Sequence, residues 1–70
     1  MKEFKMNKEY MTLSQFLKAE NYISSGGEAK YFLNEYTVLI NDVETNQRGK
    51  KLYPNDLVEV LNDRYILKYD

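Results

Sequence analysis

The sequence predicts an α+β fold in which two short helices pack on a small, mostly antiparallel sheet. Three observations support this prediction. Two capping boxes, each followed by apolar residues at helical spacing, lie before residue 37. Runs of β-branched and apolar residues, separated by turn residues, follow it. The chain has 70 residues and no Cys, so we expect one domain with one core, stabilised by packing without disulfides.

The first helix is predicted over residues 13–20. Thr12 and Gln15 form its capping box, in which each side chain satisfies the other residue's backbone amide. The apolar residues that follow recur at helical spacing; they are Leu13, Phe16 and Leu17. Before this helix, residues 1–11 are expected to be extended, because apolar residues occupy even positions there.

The second helix is predicted to begin at a capping box formed by Ser25 and Glu28. Its apolar face consists of Ala29, Phe32, Leu33 and Tyr36. Lys30 points the other way, towards solvent. Gly26 and Gly27 fall in the first turn, where free amides and the absence of a Cβ favour an approaching anion. The Glu28 carboxylate competes for the same place, so the two interpretations are evenly balanced.

The remaining residues are predicted to form strands joined by tight turns. The predicted strands are 37–40, 43–45, 57–61 and 64–69. The predicted turns are Asn41-Asp42, Tyr53-Pro54-Asn55-Asp56 and Asn62-Asp63.

The charge of the chain is unevenly distributed. Ten basic and eleven acidic residues give a net charge of −1, which alone does not indicate a nucleic-acid binder. Three basic residues, Arg48, Lys50 and Lys51, nevertheless fall within four positions, with only Gly49 between them. This basic loop (residues 48–51) is either a solvated turn or a segment that contacts phosphates.

Residue types exclude most catalytic chemistry. Without Cys or His the chain has no zinc finger, thiol nucleophile or Ser-His-Asp triad. No two carboxylates have a reason to be buried together, and no phosphate-loop or dinucleotide motif is present. We therefore expect no enzyme, no catalytic residue, no metal and no cofactor. No apolar run approaches 18 residues, and residues 1–5 are too polar for a signal peptide, so we expect a cytoplasmic protein without a membrane span.

Residues 12–59 resemble an S4 RNA-binding domain. Ser25 and Ala29 match the Ser and Ala of that family's second helix, and Asn55-Asp56 matches its Gly-Asp position. The stretch Val38-x-Ile40-Asn41 matches the family's strand and turn. Tyr36 stands where the family usually has Gly at the end of the second helix.

The closest likeness within the family is to the small, stand-alone, bacterial YaaA-like kind. It is carried by residues 12–18, 25–30 and 48–54. The resemblance implies an S4-like (alpha-L) fold. The expected domain spans residues 1–70, with an N-terminal extended segment (1–11), an S4 core (12–61) and a C-terminal strand (62–70).

The resemblance also implies an RNA-binding surface, formed by the start and outer face of the second helix and the adjoining hairpin. The residues it implicates are Ser25, Glu28, Lys30, Asn41, Asp42 and Glu44. The residues that shape this surface from beneath are Ala29, Leu33 and Tyr36. Gly26, Gly27 and the three cations of the basic loop complete the candidate set.

Four tyrosines are candidates for stacking on bases, as aromatic side chains do in single-strand binders, or for packing in the core. They are Tyr31, Tyr53, Tyr65 and Tyr69. Tyr31 is the best stacking candidate because it leaves the apolar face of the second helix.

The leading hypothesis is a non-catalytic domain that docks the second helix and the basic loop on the backbone of a structured RNA, with ribosomal RNA as the first choice. One alternative is a protein-interaction module on the same scaffold, and another is DNA binding through the basic loop. The expected state is a monomer or a weak dimer.

Overall fold

The computed structural model describes residues 1–69. Its elements are β1 (Lys2–Met6), β2 (Met11–Thr12), α1 (Leu13–Ala19), a 3₁₀ turn (Gly26–Glu28), α2 (Ala29–Glu35), β3 (Val38–Ile40), β4 (Val43–Thr45), β5 (Lys51–Leu52), β6 (Leu57–Val60) and β7 (Asp63–Tyr69). Asp70, the last residue of the predicted C-terminal strand, lies outside the described residues.

Five strands form one sheet in the order β1-β7-β6-β3-β4, and β2 pairs with β5 in a separate two-stranded sheet. Over residues 1–69, all pairings are antiparallel except that of β1 with β7, which is parallel. The prediction of two helices on a mostly antiparallel sheet is confirmed. The place of the N-terminal strand, at the sheet edge beside β7, was not predicted.

Helix α1 begins at the predicted capping box. The Thr12 N–H donates to Gln15 Oε1 at 2.9 Å, and the Gln15 N–H donates to Thr12 Oγ1 at 3.2 Å. After the helix, Asn21 adopts a left-handed conformation with φ 64°. The Tyr22 N–H then donates to the Leu17 carbonyl at 2.9 Å, which is the closing bond of a Schellman motif.

The second helical segment begins with a tighter turn than predicted. The Glu28 N–H donates to the Ser25 carbonyl at 3.1 Å, so the first turn is 3₁₀, and α2 starts only at Ala29. Two consecutive glycines have low helix propensity, which accounts for the delay. The Glu28 carboxylate accepts the Ser24 and Ser25 amides at 2.8 and 3.0 Å, so it caps the segment as expected.

Tyr36 corrects the predicted apolar face of the second helix. It caps α2 in an extended conformation, with φ −127° and ψ 146°, and 46% of the residue is exposed. Its ring contacts Phe32, with a centroid separation of 4.9 Å, at the edge of the core. Because φ is negative, this position does not need the glycine that the family usually has there.

The core lies between the helices and the large sheet. Phe16 is fully buried, and its ring makes edge contacts with Phe4 and Tyr65, each at a centroid distance of 5.0 Å. From the second helix, Ala29 and Leu33 are buried as predicted. Tyr65 is itself buried against Phe16, so it is a core residue. The prediction that it could stack on a base is wrong.

A part-buried hydroxyl network joins the loop after α1 to the start of β7. The Tyr22 hydroxyl donates to Asp63 Oδ2 at 2.9 Å and lies 2.7 Å from the Tyr65 hydroxyl. Burial, followed by the hydrogen bonds with Tyr65 and Asp63, raises the pKa of Tyr22 well above its ordinary value. Lys2 Nζ lies 3.4 Å from Asp63 Oδ1, which ties β1 to the same network.

Two of the three predicted turns are confirmed, and the third is displaced by one residue. Asn41 and Asp42 have φ values of 52° and 68°, as a tight hairpin requires, and Asn55 has φ 74° after Pro54. The turn between β6 and β7 is Leu61-Asn62, not Asn62-Asp63, since Asp63 already pairs with Val60. It places Leu61 at φ 56°, a conformation that costs a branched side chain free energy.

We expect Leu61→Gly to stabilise the protein by about 1 kcal/mol, because glycine adopts positive φ without strain. Leu61 is half-exposed, so little packing is lost. Thermal unfolding followed by circular dichroism should show a midpoint about 4–8 °C higher. The control is Asn62→Gly, at a position without positive φ, which should lower the midpoint. A lower midpoint for Leu61→Gly would contradict strain at this turn.

Candidate nucleic-acid interface

The backbone of the basic loop is fastened to the start of α1. The Leu13 N–H donates to the Lys50 carbonyl at 2.8 Å, and the Ser14 N–H donates to the Arg48 carbonyl at 3.0 Å. These amides belong to the first turn of a helix, where they have no intrahelical acceptor. Lys51 is also paired with Thr12 in the β2–β5 ladder. Two carbonyls of the basic loop thus accept hydrogen bonds from α1, while its three cationic side chains are exposed.

The β3–β4 hairpin is locked to the turn before β6. The Asn41 Nδ2 donates to Asp56 Oδ1 at 3.0 Å, and the Leu57 N–H donates to Asn41 Oδ1 at 2.9 Å. The other Asp56 oxygen accepts the Tyr53 N–H at 2.8 Å. The Asn41 side chain, a predicted RNA contact, is therefore committed to holding the hairpin.

A groove of about 430 Å³ runs between the hairpin and the basic loop. Its lining residues are Ile40, Asn41, Val43, Glu44, Thr45, Gln47, Lys50, Lys51, Tyr53 and Asp56. We call it the hairpin groove. It brings together four of the predicted site residues, Asn41 and Glu44 from the hairpin side and Lys50 and Lys51 from the basic loop. Arg48 and Asp42 are exposed but do not line it.

The helix-two part of the predicted site lies on a different surface. Glu28 and Tyr36 line a second groove of about 340 Å³, together with Tyr31 and Glu35, and it shares no lining residue with the hairpin groove. Lys30 is exposed, with its Nζ 5.3 Å from the centre of the Tyr31 ring. The structure therefore divides the candidate set between two surfaces.

The start of the second helix favours one of the two interpretations left open for Gly26 and Gly27. The Glu28 carboxylate already accepts the neighbouring amides of Ser24 and Ser25, where an anion would have to approach. A Cβ at Gly26 would meet no atom within 4 Å, so nothing packs closely against this glycine. The arrangement is that of a self-capped helix start.

Tyr53 lines the hairpin groove and Tyr31 lines the groove of the second helix, and several tyrosines are exposed. Tyr31 is 67% exposed, Tyr53 48% and Tyr69 44%. Tyr10, which the sequence did not single out, is 46% exposed and lies with its ring centroid 6.1 Å from that of Tyr53. The Lys51 Nζ lies 4.9 Å from the centre of the Tyr10 ring. The sequence carries no local signal for this cluster, because the β2–β5 pairing assembles it.

Within residues 1–69, no group of three or more acidic side chains is arranged to hold a metal ion. No helix in the same part of the chain is long and apolar enough to cross a membrane. Over these residues, every buried side-chain nitrogen or oxygen has a hydrogen-bond partner.

Comparison with known proteins finds a family model and a relative that match this chain. A family model described as S4 domain matches residues 4–68. The chain is also similar to the probable ribosome maturation protein RlbA of Bacillus subtilis (strain 168). The two are 56% identical over 52 residues, which is 74% of this chain and 73% of that protein. No solved structure matches the chain significantly.

Proposed function

This chain belongs to the S4 domain family, and from that premise we propose that it is a non-catalytic RNA-binding protein that acts on the ribosome during its maturation. The fold we propose is the S4-like alpha-L arrangement, in one domain. The name of its relative, a probable ribosome maturation protein, supports the ribosomal context. The cytoplasm, where ribosomes mature in bacteria, is the compartment we propose for it.

The basic loop is the observation that carries this proposal. Arg48, Lys50 and Lys51 are exposed on a backbone that two hydrogen bonds fix to α1, so little backbone entropy is lost when they meet phosphates. Arg binds phosphate through two parallel N–H bonds and Lys as a point charge. Such contacts position a protein on a nucleic acid and do not read its sequence.

We propose that a structured ribosomal RNA is the partner and that Lys30 adds a contact from helix two. If Lys30 and the three cations of the basic loop each displace one condensed counterion from the RNA, the slope of log affinity against log salt should be about −3 to −4. The rest of the chain is acidic, and Asp42 and Glu44 lie on the hairpin, so non-specific attraction to any polyanion is weak. Binding then depends on RNA whose shape aligns its phosphates with the loop.

Competition by fluorescence anisotropy tests the proposal. A ribosomal RNA hairpin, the matching DNA hairpin and a single strand are each titrated at two salt concentrations. Preference for the RNA hairpin, with the steep salt slope above, is the expected result. Preference for duplex DNA would assign the loop to DNA. Binding to none of the three would favour the alternative, a protein-interaction module. The exposed aromatic side chains of Tyr31 and Tyr36 are the surface we propose for such a partner.

A further inference from the structure

We propose that the Tyr53 ring is a stacking platform for one unpaired RNA base, and that the hairpin groove beside it holds the rest of that nucleotide. This inference rests on the proposed RNA-binding function and adds a site for a specific structural element of the RNA. It is carried by the juxtaposition of Tyr53 and Lys51, which line the groove, with Tyr10, whose ring lies beside both.

The backbone of Tyr53 is held rigidly, although its ring is half-exposed. Its N–H donates to Asp56 Oδ2 at 2.8 Å, and its carbonyl accepts the Asp56 N–H at 3.0 Å. The preceding residue, Leu52, is fully buried. A ring on such a backbone has few conformations to lose on binding, which favours its use as a binding surface.

The Tyr10 ring lies beside the Tyr53 ring, and Lys51 lies over the Tyr10 ring. The Tyr10 and Tyr53 rings are tilted by 43° with centroids 6.1 Å apart. A base between them would need about 7 Å, since each stacked contact takes about 3.5 Å. Lys51 also lies over the Tyr10 ring at 4.9 Å. The pair therefore does not sandwich a base, and stacking falls to Tyr53, which lines the groove.

The groove has the size and chemistry for a nucleotide. Its volume of about 430 Å³ lies within the range of about 300–1,000 Å³ found for small-molecule sites. Lys50 and Lys51 offer positive charge for a phosphate, and Ile40 and Val43 offer apolar contact. Glu44 lies in the same groove. This carboxylate repels a bare phosphate and accepts hydrogen bonds from the exocyclic amino group of a base, so the chemistry favours a nucleotide over an isolated anion.

A matched pair of RNA hairpins tests the inference. One is blunt, and the other carries a single unpaired 2-aminopurine nucleotide at its 3′ end. We expect the protein to bind the second on the order of tenfold more tightly, because stacking on an aromatic side chain is worth that much per base. The fluorescence of 2-aminopurine should fall on binding, since stacking on an aromatic ring quenches it.

Variants of single tyrosines assign the effect to one ring. Tyr53→Leu should remove both the preference and the quenching and leave the salt slope unchanged, because the basic loop is intact. Tyr53→Phe should keep both. Tyr31→Leu tests the competing stacking candidate on the helix-two surface. Loss of the preference and the quenching in this variant, with both retained in Tyr53→Leu, would overturn the assignment to Tyr53. Circular dichroism confirms that each variant is folded.

The outcomes separate this inference from the proposed function. If the parent protein binds both hairpins equally and without quenching, or if Tyr53→Leu retains the preference, the stacking site is wrong and RNA binding stands. If the parent protein binds neither hairpin, the proposed function fails and the stacking site fails with it.

Discussion

Replacing Arg48, Lys50 and Lys51 together with Ala is expected to weaken RNA binding by about 10²- to 10³-fold at 0.1 M salt. Each phosphate contact to a duplex contributes about 0.9 to the slope of log affinity against log salt, so the triple variant should lose about 2.7 of that slope. The fold should survive. The Leu13 and Ser14 amides are accepted by the carbonyls of Lys50 and Arg48, which Ala retains.

A charge-matched variant gives the control for this experiment. The control replaces three exposed lysines that lie outside both grooves, Lys5, Lys8 and Lys18, with Ala. Each triple variant loses three positive charges, so the net charge changes equally. We expect this control to lose only a few-fold in affinity through the long-range field. Equal losses for the two triple variants would mean that the basic loop is not a specific contact. Unchanged affinity for the loop variant would remove the loop from the interface.

The second large effect concerns the core. Phe16→Ala is expected to destabilise the protein by about 3–5 kcal/mol, because it removes a fully buried ring and leaves a cavity between Phe4 and Tyr65. One core in a chain of this length supplies net stability of about the same size. The variant should therefore be largely unfolded at 25 °C, which far-UV circular dichroism and urea unfolding would measure.

Two substitutions bracket this expectation. Phe16→Leu keeps most of the buried volume and should cost roughly 1–2 kcal/mol, so it should remain folded. Tyr31→Ala removes a ring that is 67% exposed and should change stability by less than about 0.5 kcal/mol. A cooperative unfolding transition of Phe16→Ala close to that of the parent protein would show that Phe16 is not the centre of the core.

Local chemistry explains which parts of the fold could be predicted from the sequence. A capping box such as Thr12 and Gln15 satisfies amides three residues away, so its signal is contained in four residues. The Asn41-Asp42 turn is equally local, since both residue types tolerate positive φ. The turn at Leu61 could not be predicted, because leucine disfavours the conformation that the strand register imposes on it.

The candidate site was less predictable because it depends on contacts distant in sequence. The charge run at residues 48–51 is evident, but its attachment to α1 uses backbone carbonyls, which no residue type reports. Tyr10 lies 43 positions before Tyr53, and only the pairing of β2 with β5 brings the rings together. Tyr36 has the spacing of a core residue, yet the helix ends before its side chain can turn inwards.

The parallel pairing of β1 with β7 has a consequence for how the protein is synthesised. Lys2 lies opposite Tyr65, 63 positions later in the chain. Strand β1 therefore leaves the ribosome well before its partner β7, and Phe4 and Met6 have no native sheet partner until β7 has been made. Pairings between residues so far apart in sequence slow folding. A nascent chain arrested before residue 63 should consequently be sensitive to proteases and bind chaperones, whereas a chain released with β7 in place should resist both.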